Sequence, residues 1–141
     1  MLRILGVAAA LLLSANAAFA HGDEPAPPPK KEAPLFPVKV WQSSKGQILV
    51  DNKGMTLYYF DRDTSGRQST CDGPCTERWI PLAAAPDAEA KGDFTVITRS
   101  DGSKMWAYRY RPLYTSPSDH APGDINGYDI GNLWHVARPA R

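Results

Sequence analysis

The chain has 141 residues, with 16 lysines and arginines against 15 aspartates and glutamates and a formal charge of +1. That balance excludes a nucleic-acid footprint and a polybasic membrane surface, both of which need clustered positive charge. The length allows one small folded domain.

The first residues read as an export signal. Met1-Leu2-Arg3 is a short positive start, Ile4 to Leu13 is an apolar run, and Ala18-Phe19-Ala20 places small residues at the −3 and −1 positions. This predicts a secretory signal peptide over residues 1–20, too short to span a bilayer as an anchor. No cysteine lies near the cleavage point, so no stable membrane anchor is expected after cleavage and the expected location is periplasmic or extracellular. Cleavage leaves 121 residues (141 less 20) that begin at His21, with 15 basic against 15 acidic side chains once Arg3 is removed.

Residues 21–37, HGDEPAPPPKKEAPLFP, hold six prolines and almost no apolar periodicity. Such a segment buries too little surface to offset its ordering entropy, which predicts a Pro-rich disordered or polyproline-like tether. The folded part is expected over residues 38–140.

From Val38 onward the pattern is short strands with turn punctuation. Val38 to Gln42 and Gln47 to Asp51 flank a turn at residues 43–46, and Met55 to Asp61 returns after Asn52-Lys53-Gly54. A three-residue connection ending in glycine suits a hairpin with that glycine in the left-handed region. Thr76 to Leu82 predicts one helical turn after the cysteine loop, with Pro74 where a first turn tolerates it and Pro81 limiting its length. Phe94 to Thr98, a turn at Ser100-Asp101-Gly102, and Lys104 to Tyr110 form a second hairpin, and Leu133 to Arg138 a last strand. The fold class is mostly β: a small single domain of two degenerate β-hairpin repeats, with at most one short helical turn after the cysteine loop.

The two halves, about residues 38–82 and 94–139, echo each other. Leu57-Tyr58 matches Leu113-Tyr114, Asp63 matches Asp119, and Trp79 matches Trp134, with identical Tyr-to-Asp spacing and Tyr-to-Trp distances that differ by one residue. A period near 55 is too long for a solenoid unit and predicts two halves packed about a pseudo-twofold core. The tandem Tyr-x4-Asp motif, the stretch GMTLYYFDRD, Cys-x3-Cys before Trp79 and the ending GNLWHVARP together resemble the bacterial secreted-repeat lipoproteins. That family carries a Tyr-x4-Asp motif and has no established function. The resemblance covers roughly Val38 to Pro139 and implies a fold and a compartment rather than a reaction. Two features depart from it: the aromatic two residues after the motif tyrosine is Phe60 in the first copy but Ser116 in the second, and the lipid-bearing cysteine is absent.

Each motif residue has a structural and a functional reading. Asp63 and Asp119, at turn starts, are expected to accept hydrogen bonds from backbone N–H groups two or three residues on, with Tyr58 and Tyr114 at strand ends. The alternative is a Tyr–Asp pair acting as a ligand or as acid and base. Cys71 and Cys75, in an exported chain, read as a disulfide closing a five-residue ring worth about 2 kcal/mol in the chain-entropy model. The rival readings are a thiolate pair for Cu(I), with His120, His135, Met55 or Met105 as further ligands, and a redox-active dithiol; separately, a mature N-terminal His21 could chelate copper through its amine and ring nitrogen, with His120 or His135 completing the site. Lys104 to Tyr114 interleaves aromatics with Arg109 and Arg111 in the manner of a stacking platform, but strand alternation accounts for it as sheet packing, with Trp106, Tyr108 and Tyr110 on one face. Trp41, Trp79 and Trp134 read as core.

Enzyme signatures are thin: neither G-x-S-x-G nor H-E-x-x-H occurs, and neighbours such as Ser118-Asp119-His120 cannot form a triad among themselves. The expectation is therefore a non-enzymatic envelope module without a cofactor that binds a partner protein or a small ligand. The alternative is a copper-handling or thiol-redox protein that uses Cys71 and Cys75.

Overall fold

The computed structural model describes residues 36–141; the signal-peptide reading, His21 and most of the Pro-rich stretch lie outside them. Among the described residues nine strands follow in chain order: β1 (Lys39–Ser43), β2 (Gly46–Val50), β3 (Tyr58–Phe60), β4 (Ile80–Pro81), β5 (Phe94–Thr98), β6 (Lys104–Tyr108), β7 (Arg111–Pro112), β8 (Tyr114–Thr115) and β9 (Trp134–Val136). A 3-10 turn, Gly73–Glu77, holds Pro74 in its first turn, and a second, Ile130–Asn132, precedes β9. The fold is mostly β, as the short alternating runs require. No helix among the described residues is long and apolar enough to cross a membrane.

The two halves are related strand by strand. The hairpin β1–β2 corresponds to β5–β6, each pairing five residues. The central sheet has the order β4-β8-β3-β9, and its middle is the antiparallel pair Tyr58↔Tyr114, the two motif tyrosines opposite each other. Reading outward from that pair gives β8 then β4 on one side and β3 then β9 on the other, so the pseudo-twofold runs between the tyrosines.

Two closed rings of backbone hydrogen bonds tie each hairpin to this sheet. Leu49 N–H donates to Ala137 (2.8 Å), Ala137 N–H to Leu57 (2.8 Å), and Leu57 N–H back to Leu49 (2.9 Å). Trp106 N–H donates to Leu82 (2.9 Å), Leu82 N–H to Leu113 (2.9 Å), and Leu113 N–H back to Trp106 (3.0 Å). Each ring lets three strands meet without leaving a buried N–H or C=O unpaired. All six residues belong to one apolar cluster, with Phe36, Phe94 and Val96 packed against it.

Neighbours in sequence point the other way, as strand geometry demands. Ile48, Val50, Tyr58, Trp79, Ile97, Met105, Ala107, Tyr114, Trp134 and Val136 fill a second cluster. Strand β6 is consequently buried on both faces, Met105 and Ala107 in one cluster and Trp106 in the other. The strand expected over Lys104 to Tyr110 is corrected to Lys104–Tyr108, and it is central, with β5 on one side and β7 on the other. Trp41 is also corrected, because β1 lies at an edge and leaves this indole 43% exposed. The strand expected over Met55 to Asp61 is confined to Tyr58–Phe60, and β4, β7 and β8, two residues each, were not foreseen.

Candidate functional site

The motif residues converge at the middle of the central sheet, and they do so across the repeats. Tyr58 Oη donates to Asp119 Oδ2 at 2.8 Å, and Tyr114 Oη donates to Asp63 Oδ2 at 2.7 Å. Each tyrosine therefore holds the aspartate of the other copy. All four side chains are buried. The second carboxylate oxygen closes a loop: Asp63 Oδ1 accepts from Thr70 N–H and Thr70 Oγ1, both at 2.7 Å, and Asp119 Oδ1 accepts from Asn126 N–H at 2.7 Å. The expected reach of two or three residues is thus corrected to seven in both copies. The loop is larger than a β-turn because the carboxylate must face inward to the partner repeat's phenol.

The phenol oxygens are satisfied too. Gly127 N–H donates to Tyr58 Oη at 3.1 Å, and Ser69 Oγ lies 2.7 Å from Tyr114 Oη. Burial raises both phenols far above the usual tyrosine range, and the facing carboxylates push the same way. Burial also raises the Asp119 carboxyl, against the pull of Asn126 N–H and the Tyr58 hydroxyl. Each phenol therefore keeps its proton and donates it, which is the behaviour of a structural cross-link.

An aromatic stack lies beside the locks. Trp79 and Trp134 are parallel with centroids 3.8 Å apart, Phe60 stacks on Trp134 at 4.3 Å, and Tyr58 and Tyr114 meet Trp79 and Trp134 edge-on. Where Phe60 stands in the first copy the second has the buried Ser116, and a cavity of about 660 Å³ opens there, lined by Trp79, Ser116, His120 and Ile130 among others.

Cys71 and Cys75 form a disulfide with Cα atoms 5.2 Å apart, and Cys71 is buried. Arg99 on the second hairpin binds this loop, with Nη2 donating to Cys71 O at 2.9 Å and to Asp72 at 3.0 Å. His135 pairs with Asp61 at 2.7 Å, and the His120 side chain lies at the Ser116 cavity. Among the described residues no three His, Cys, Asp or Glu side chains converge as a metal site. His21 lies outside them.

Sequence reasoning passed over a second concavity. A cleft of about 670 Å³ lies between the β6–β7 turn and the end of the chain, lined by Tyr59, Asp93, Tyr108, Arg109, Tyr110, Arg111 and Arg138 among others. The Arg111 guanidinium sits 4.3 Å over the Tyr59 ring and 3.8 Å from Asp61. Arg109 pairs with Asp93 at 3.9 Å. Arg138 Nη1 donates to the carbonyls of Lys45 and Gln47. The signal was present in the alternation of tyrosine and arginine after Trp106. Arg109-Tyr110 carries none of the residues that favour turns, so the sequence alone predicts continuous strand there. In the structure Tyr108 pairs with Arg111, so Arg109-Tyr110 is a two-residue turn and Tyr110 is 73% exposed, which corrects its placement beside Trp106 and Tyr108.

No curated protein and no solved structure matches the chain. The family described as a secreted repeat of unknown function matches twice, over residues 39–83 and 95–138, which are the two halves locked together by Tyr58–Asp119 and Tyr114–Asp63. The chain belongs to that family.

Proposed function

We propose that this chain is an exported, non-enzymatic binding module of the cell envelope. The observation that carries the reading is how the polar groups are divided. Those of the tandem motif are buried and bonded to one another, whereas arginine and tyrosine side chains line an open cleft on the opposite side of β3. A phenol raised by burial and already donating to a carboxylate is a poor general base, acid or nucleophile near neutral pH. Half-exposed arginines beside tyrosine rings have the character of a recognition surface, a concavity with a few directed polar groups. The disulfide, buried at Cys71 and half-buried at Cys75, is read as a staple for the loop that carries Thr70 and Trp79.

The test separates folding from chemistry at the motif. Purified domain is offered chromogenic esters, glycosides and phosphoesters, and Tyr58→Phe and Tyr114→Phe are compared with the parent in melting temperature and turnover. The expected result is a lowered melting temperature in both variants and no turnover by any of the three proteins. Turnover by the parent that disappears in Tyr58→Phe at an unchanged melting temperature would overturn the reading and make the motif catalytic.

A further inference from the structure

The same hairpin is closed differently in the two repeats. In the first copy Asp51 N–H bonds Met55 O, three residues intervene, and the last is Gly54 at φ 82°. In the second copy two residues suffice, and both are bulky: Arg109 at φ 46° and Tyr110 at φ 65°. A two-residue turn of this hand demands positive φ at both positions and is ordinarily filled by Asn-Gly or Asp-Gly. A large L-residue there is strained, and such strain, once observed, points to a use for the side chains so placed. Both line the cleft, and Tyr110 offers the most exposed large apolar surface of the described residues.

The chemistry of the lining narrows what it would take. Three arginines and one aspartate give the lining a charge of +2 (three less one), in a chain whose formal total is +1. Arg111 is held in place by Tyr59 beneath it and Asp61 beside it, so its planar fork is oriented before a ligand arrives. Its side chain and that of Asp61 are 52% and 42% exposed, and Arg109 and Asp93 are 59% each. Exposed pairs of this kind are weak, so a guanidinium is diverted to a ligand carboxylate at little cost. A polyanion with no hydroxyl groups would need donors alone. This cleft also presents the carboxylate acceptor of Asp93, and a saccharide hydroxyl uses acceptor and donor together. The apolar face of a sugar ring fits the open Tyr110 ring, which is rigid and amphipathic.

We propose that the cleft binds an acidic saccharide, its carboxylates on Arg109 and Arg111, its hydroxyls on Asp93 and one ring face on Tyr110. The proposal rests on the reading of the chain as a binding module and names the ligand class for its cleft. The strain at Tyr110 makes a distinctive variant available: Tyr110→Gly removes the ring and supplies the residue this backbone prefers.

The experiment titrates the whole mature chain with three probes, followed by amide chemical shifts: tetragalacturonate, neutral maltotetraose and hexaglutamate. The expected result is saturable shifts from tetragalacturonate at Asp93, at residues 109–111 and at Arg138, with maltotetraose and hexaglutamate at least tenfold weaker. Arg111→Gln should weaken tetragalacturonate at least tenfold at an unchanged melting temperature. Tyr110→Gly should weaken it several-fold while the melting temperature holds or rises, which a merely structural tyrosine would not do. Saturable cleft binding of hexaglutamate or maltotetraose with tetragalacturonate silent would overturn the acidic-saccharide assignment and leave the cleft a binding site. Silence of all three probes at the cleft would overturn the assignment and the cleft reading together.

Discussion

The crossed pairing of the motif predicts a specific pattern of energetic coupling. Tyr58→Phe removes one hydrogen bond to a buried carboxylate and leaves Gly127 N–H without its acceptor. A hydrogen bond to a charged group contributes about 1.5–3 kcal/mol, and an orphaned buried donor costs about 1–3 kcal/mol. A loss near 3 kcal/mol is therefore expected, a large part of the roughly 5–15 kcal/mol of net stability typical of a domain. Asp119→Ala removes the same bond and, in addition, the acceptor for Asn126 N–H. Alanine is preferred to asparagine because an amide could donate back to the phenol. In a double-mutant cycle the loop bond cancels, so Tyr58 and Asp119 should couple by about 1.5–3 kcal/mol. Tyr58 and Asp63, from the same repeat, share no bond and should couple by no more than about 0.5 kcal/mol. Tyr114 should give the mirror image, coupled to Asp63 and not to Asp119. The measurement is urea unfolding followed by tryptophan fluorescence. Strong coupling within a repeat, with none across, would refute the crossed pairing.

Three further outcomes follow from the same geometry. Replacing both cysteines by serine should lower stability by about 2 kcal/mol, the entropy of a five-residue ring, as read by the shift in urea midpoint. Gly127→Ala should destabilise by about 1–3 kcal/mol, because its new Cβ would lie 2.9 Å from both Trp79 Cη2 and Tyr58 Cζ, in a packed core; thermal melting checks this. Raised phenol pKa values in the native state mean that the unfolded chain releases those protons first, from about pH 10 upward. Stability should accordingly fall as pH rises above that point, by up to about 1.4 kcal/mol per pH unit for each of Tyr58 and Tyr114. Absorbance titration near 295 nm should show two of the six tyrosines ionising only as the chain unfolds, and ionisation of all six with the fold intact would contradict this.

Much of this arrangement was legible because strand patterning and turn chemistry act locally. Phe94 to Thr98 is a run of aromatic and β-branched residues and forms β5 over those same residues, and Asn52-Lys53-Gly54 closes its hairpin with the glycine at positive φ. The repeat was legible from Leu-Tyr, Asp and Trp at matching distances. The partner of each motif residue was not, since a spacing of five residues in one strand and turn suggests a local bond. Only the central pair Tyr58↔Tyr114 brings the other copy's aspartate nearer than the residue's own. The strands β4, β7 and β8 were missed because two residues carry no period. Trp41 was misplaced because an aromatic on an edge strand has the same local pattern as one in the core, and edge position is a property of the assembled sheet.

The two repeats differ where they face solvent more than where they face each other, and that difference separates structure from use. Residues that agree between copies, Leu57 with Leu113, Tyr58 with Tyr114, Asp63 with Asp119 and Trp79 with Trp134, are all buried about the pseudo-twofold. A symmetric core needs both copies of each, since each tyrosine requires the other repeat's carboxylate. The hairpin turns are under no such constraint. One copy kept the glycine that its backbone prefers, at Gly54. The other placed Arg109 and Tyr110 in left-handed conformations and set them over a cleft with Arg111 and Asp93. Symmetry therefore accounts for the buried motif pairs, and the cleft lies where the symmetry is broken.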